Sequence, residues 1–109
     1  MSFIIKGSDI KHEIRGGEKS GEASIAWAIE DSSPHQLPCG FGTWHEAECV
    51  PKTLDYDEVI LVLEGTFGIE VDGQKYTAQA GDVINLPKGT SLKYFGTNAK
   101  IFFVTTPTY

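Results

Sequence analysis

Turn-forming residues interrupt this chain at short intervals, and that punctuation limits it to short strands. Glu58 is followed after six residues by Gly65, and Gly81, Pro87 and Gly89 then come in order, giving Glu-x6-Gly and Gly-x5-Pro-x-Gly. Glycine and proline break nearly every long segment, so no window sustains a helical period. The stretches between them are short and rich in β-branched or aromatic residues, which predicts strands over 24–29, 41–46, 58–63, 67–71, 82–86 and 100–106. Turns spaced about 8 to 12 residues apart are the mark of an antiparallel sandwich or barrel. The expectation is an all-β, single-domain barrel.

The turns carry their own chemistry. In Val71-Asp72-Gly73-Gln74, Asp-Gly supplies the positive φ values of a type I′ turn and predicts a hairpin. Glu64-Gly65-Thr66 is read as a second tight reversal, Gln79-Ala80-Gly81-Asp82 as a third, and Pro87-Lys88-Gly89 as a fourth. The run Gly16-Gly17-Glu18-Lys19-Ser20-Gly21 superficially suggests a phosphate loop. It fails because Glu18 precedes Lys19-Ser20 where glycine is required, and a solvated loop is expected instead. A further loop is expected over 32–38, where Pro34 and Pro38 stop regular pairing.

Nine basic against fifteen acidic residues give a net charge of -6. That balance repels phosphate backbones and anionic lipid, so neither nucleic acid nor a membrane is an expected partner. No apolar stretch reaches the roughly 20 residues that span a bilayer, and the first residues lack a signal-peptide core. A cytoplasmic location is expected. Cys39 and Cys49 fit no zinc signature and read as free, structural thiols.

The spaced Glu-x6-Gly and Gly-x5-Pro-x-Gly elements, with the order of turns, resemble the cupin superfamily. The runs 51–59, Val62-Leu63-Glu64-Gly65, Asp82-Val83-Ile84, Leu86-Pro87-Lys88-Gly89-Thr90-Ser91 and Phe103-Val104-Thr105-Thr106-Pro107 are similar to the EutQ family of small cupins, named for ethanolamine utilisation. The resemblance covers about residues 39 to 107. It implies a double-stranded β-helix, a jelly-roll-like barrel, with residues 39–109 as the cupin core and 1–38 supplying N-terminal strands and loops that complete one domain. It also implies a bacterial catabolic setting, ethanolamine utilisation, and association with a microcompartment. An acetate kinase activity is associated with the family, but Arg15 is the only arginine here and no phosphate loop supports phosphoryl transfer.

Metal-binding cupins hold iron, manganese or zinc through three histidines and the motif glutamate. In this chain the histidine windows hold Pro51, Lys52, Thr53 and Leu54, and then Leu92. His12, His35 and His45 all lie outside the motif, and only His45, on the preceding strand, offers a fallback ligand beside Glu58. No cofactor is expected, with a divalent metal at His45 and Glu58 as the alternative.

The resemblance points Glu58 into the barrel, and alternation puts Ile60 and Val62 on the same side. A carboxylate there must be paired, hydrogen-bonded or metal-bound, because a bare buried charge costs several kcal/mol. Glu58 is therefore the candidate anchor or general base, against the simpler reading of a glutamate satisfied at the barrel mouth. Alternation sends Tyr56 to the Glu58 side, and His45, Lys93 and Tyr94 complete the candidate ligand-binding set. For Tyr56 and Lys93 a structural role is slightly favoured. Three functions follow: a metal-free binder of a small polar metabolite, a metal-dependent enzyme built on Glu58 and His45, or a dimeric interaction module. The strand 59–63 is apolar on both faces, so a homodimer is expected under all three.

Overall fold

A computed structural model describes residues 3–11, 13–15, 22–32 and 36–108, with the backbone alone for 13–15 and 22. His12, His35 and the segment 16–21, for which a loop is expected, lie outside the described residues, as do residues 33–35 of the expected loop 32–38. The chain forms β1 (Glu13–Arg15), β2 (Glu22–Ile29), β3 (Cys39–His45), β4 (Ala47–Glu48), β5 (Lys52–Thr53), β6 (Glu58–Val71), β7 (Gln74–Gln79), β8 (Val83–Leu86) and β9 (Ser91–Thr105). Among the described residues the only helical element is one 3-10 turn, Gly7–Asp9. None of the helical structure there is long and apolar enough to cross a membrane.

Two long strands organise the sheet. β6 and β9 run antiparallel over nearly their whole length, from Glu58 opposite Thr105 to Glu70 opposite Lys93. Both bend midway, so each belongs to two sheet halves. In the first half, β8 flanks the start of β6, and β3, β2 and β1 continue outward from the end of β9. In the second, β7 flanks the end of β6, while β4 and β5 pair with the start of β9.

The bend corrects one expectation. Glu64-Gly65-Thr66 is not a reversal; it is a bulged corner inside one continuous 14-residue strand. Gly65 has a φ of 70°, and a Cβ there would run into the Asn98 carbonyl oxygen and lie 2.7 Å from that of Thr97. Bulges bend a strand and let it pass from one sheet to another. Two sequence segments separated by a glycine thus read as a hairpin when tertiary pairing makes them one strand. The Asp72-Gly73 turn does form, with φ values of 52° and 78°.

The halves close over one core. Ile60, Val62, Ile101 and Phe103 from the first half meet Phe67, Ile69, Ala78 and Leu92 from the second. Trp44 on β3 reaches across to Phe67, with ring centroids 4.7 Å apart. Along β6 the inward set Glu58, Ile60 and Val62 is buried while Val59 and Leu63 are exposed, as period-two alternation requires.

Candidate functional site

Where the first part of β6 faces the start of β9, the core is not filled. A cavity of about 300 Å³ lies between the two sheet halves. Its walls are mostly apolar: Ile25 and Trp27 from β2, Ile60 from β6, Ile101 and Phe103 from β9, and Trp44 from β3. Its polar groups are few. They are Glu58, Tyr94, the indole N–H of Trp44, which is buried and without a partner among the described residues, and Tyr56 and Lys52 from the segment that runs from β4 into β6.

Glu58 occupies the first position of β6, held between Leu86 of β8 and Thr105 of β9. Only 6% of it is exposed. Tyr94, on the opposite sheet half, donates its phenolic hydrogen to Glu58 Oε1, so a hydrogen bond ties the two halves together across the site. Burial raises the Glu58 carboxyl above its usual range, opposed by the Tyr94 hydrogen bond and then by the charge of Lys52. The Tyr94 phenol is pushed far above the usual tyrosine range, first by burial and then by the negative charge of Glu58. Tyr94 is thereby fixed as a donor. At the exposed side, Lys52 Nζ donates to the Tyr56 hydroxyl at 2.6 Å.

The structure brings Glu58, Tyr56 and Tyr94 into one cavity and leaves His45 and Lys93 out of it. His45 follows inward-facing Trp44 on β3, so alternation turns it outward, where it is exposed. Lys93 lies between buried Leu92 and cavity-facing Tyr94 and turns the other way, 3.7 Å from the Glu48 carboxylate. It does not neutralise Glu58. The proposed fallback ligands, His45 and Glu58, are not brought together, and among the described residues no three His, Cys, Asp or Glu side chains cluster.

Neighbouring acids have local tasks. Asp57 Oδ1 accepts a hydrogen bond from the Lys88 amide at 2.7 Å and so pins the Pro87–Gly89 turn. Asp82 Oδ2 accepts from the Gln79 amide at 2.8 Å, closing the preceding turn. Cys39 and Cys49 form no disulfide and are half-buried, and burial raises the thiol of Cys39. Cys49 is more than structural filler, since it lines the cavity.

Sequence reasoning missed Lys52 as a site residue, although it stands in a window where metal-binding cupins place histidine. That position was the available signal. Trp27 and Phe103 were also missed as cavity walls. They meet edge to face at 5.1 Å, through a contact of β2 with β9 that no local pattern reveals.

The comparisons with known proteins agree with this architecture. Residues 19–109 match the family model described as ethanolamine utilisation protein EutQ. The acetate kinase EutQ of Escherichia coli K12 is 34% identical over 101 residues, covering 93% of this chain but 42% of that protein. The chain therefore spans less than half the length of that relative. A crystal structure of a putative ethanolamine utilization protein Q from Salmonella typhimurium LT2 superposes with a TM-score of 0.80 at 30% identity, covering 97% of this chain and 86% of that one. The structure of the Clostridium difficile EutQ protein gives a TM-score of 0.72, also at 30% identity, over 81% of this chain and 64% of that one. The fold is that of the cupins, and the chain belongs to the family of ethanolamine utilisation protein EutQ.

Proposed function

We propose that this chain is a cytoplasmic, small-molecule-binding cupin domain of ethanolamine utilisation, which holds a small polar metabolite at Glu58 without a metal. The observation that carries this reading is a buried carboxylate facing a cavity of about 300 Å³, with a single hydrogen-bond partner on the facing sheet. That volume is at the lower end of small-molecule sites, and apolar walls with a few placed polar groups are their usual composition. Lys52 stands in one of the windows usual for a metal-ligating imidazole, and Tyr94, two residues beyond the other, puts a phenol on the carboxylate. We do not assign the acetate kinase activity that names the longer relatives. The cavity's polar set of one carboxylate, two phenols, one indole N–H and one lysine is no phosphate cradle.

The test is ligand-observed NMR of the wild-type chain against a panel of small polar metabolites, with elemental analysis of protein purified without a metal-affinity tag. The reading expects a binder that shifts Ile60 and Tyr94 amides and is lost in Glu58→Gln. Stoichiometric metal at the cavity, or binding indifferent to Glu58, contradicts it.

A homodimer is the second part of the proposal, supported by the outer face of the first sheet half. There Phe41, Phe102, Leu61 and Val83 stand opposite one another across β3, β9, β6 and β8. The Phe41 and Phe102 rings lie 5.3 Å apart, and Val83 is 62% exposed. A second copy covering this row would bury it. Sedimentation should give a dimer that Leu61→Glu converts to a monomer; a wild-type monomer contradicts it.

A further inference from the structure

We propose that the cavity selects a small protonated amine, whose ammonium group donates to the free oxygen of Glu58 between aromatic walls. The inference rests on the reading of Glu58 as ligand anchor and names the chemical class it takes.

The bonding of Glu58 is half complete. Oε1 accepts from Tyr94, and among the described residues the carboxylate makes no other hydrogen bond. An ionised carboxylate is an acceptor only, with lone pairs on both oxygens. Within the fold Oε2 therefore has no protein donor and is left for a ligand, while the one buried polar atom without a partner among the described residues, Trp44 Nε1, is a donor on the same wall. A neutral donor would satisfy the lone pairs and leave the buried charge; an ammonium ion satisfies both.

The walls favour the same class. Trp27, Trp44, Tyr94 and Phe103 give the cavity aromatic walls beside Tyr56, whose ring already carries the Lys52 ammonium 5.1 Å from its centroid, and aromatic faces attract cations, more strongly where water is excluded. An anion would meet Glu58 and those rings at once, both repulsive, with only Lys52 at the exposed side and the Trp44 N–H to offset them.

The charges around Glu58 set the direction of entry. Tyr94 faces it from β9, and Tyr56, Cys49 and Lys52 face the cavity from the segment between β4 and β6. Its strand neighbours Leu86 and Thr105 carry no charge. Lys52 is the only cation lining the cavity; it is exposed and engaged with the Tyr56 hydroxyl. The inner end is thus acidic and the outer end basic, so an amine enters ammonium first. Ammonium binding competes with a proton for Glu58, so affinity falls as pH drops and the carboxylate fills with protons.

The test uses three probes of matched length on the wild-type chain: propylammonium, n-propanol and propionate, followed by amide shifts of Ile60, Tyr94 and Phe103. At pH 8 propylammonium should bind at least about tenfold more tightly than n-propanol, and propionate should not bind. Affinity for propylammonium should fall about tenfold per pH unit once Glu58 is mostly protonated, while that for n-propanol stays flat. Glu58→Gln should abolish the preference, and His45→Gln, exposed on β3 and outside the cavity, should retain it. If n-propanol or propionate binds at these residues as well as the amine does, amine selectivity is overturned while the ligand site stands. If no probe and no metabolite in the panel shifts these residues, both readings fall.

Discussion

Phe67 and Glu58 lie on the same strand, both point inward, and they are 0% and 6% exposed, yet they do opposite things. Phe67 packs against Trp44 and stacks on Tyr94 at 5.9 Å, filling the second sheet half with aromatic surface. Burial of such a side chain stabilises the fold by about 1.5–3 kcal/mol. Glu58 gives one oxygen to the same Tyr94 and faces a cavity, and its burial opposes ionisation. Tyr94 touches both residues, with its ring in the packed end and its hydroxyl in the site. The pair shows that burial does not separate scaffold from site. What separates them is whether the space beside the side chain is filled.

Removing Phe67 should break the packed end most severely. Phe67→Ala is expected to lower stability by about 3–5 kcal/mol, read from urea denaturation, because the cavity it leaves lies at the closed junction of β3, β6 and β9. Gly65→Ala should cost less but still more than about 1–2 kcal/mol, since the left-handed φ and the clash with Asn98 act together. Tyr94→Phe keeps the ring and removes the hydroxyl. It should therefore cost only about 1 kcal/mol in the same assay, while moving Glu58 titration further up. If Tyr94→Phe proves as damaging as Phe67→Ala, the two ends are not distinct.

Glu58→Gln should have the smallest effect and the opposite sign. A carboxyl raised on folding favours the folded state while protonated; that advantage is present below its ordinary value of 4.5 and is lost as pH rises through the higher folded value. The variant should thus melt higher than wild type at pH 8, with the difference vanishing near pH 4. A lower melting temperature at pH 8 would mean that the charge stabilises the fold.

Much of this contrast was legible in the sequence, for reasons that differ by residue. The spacing from Glu58 to Gly89 located the barrel because turns have strict residue requirements. The family resemblance pointed Glu58 inward, and alternation put Ile60, Val62 and Tyr56 on its side, because a strand has period two. It did not reveal the first part of β9, whose Lys93-Tyr94-Phe95-Gly96 lies outside the predicted strand 100–106. Its partner, the end of β6, was read as a separate hairpin arm. Once that long pairing was missed, the facing of Lys93 and Tyr94 could not be settled, and Lys52 entered the site unnoticed. Long-range pairing carries no local signal, so the site was readable along its strand but not across it.

The most direct test of a buried carboxylate kept for a ligand is the titration of Glu58 itself. In carboxyl-13C NMR of glutamate-labelled protein, assigned by the resonance missing from Glu58→Gln, its midpoint should lie above 4.5 in the free protein and fall when a bound cation takes Oε2. A midpoint at or below 4.5 in the free protein would show Glu58 already satisfied within the fold and contradict the account.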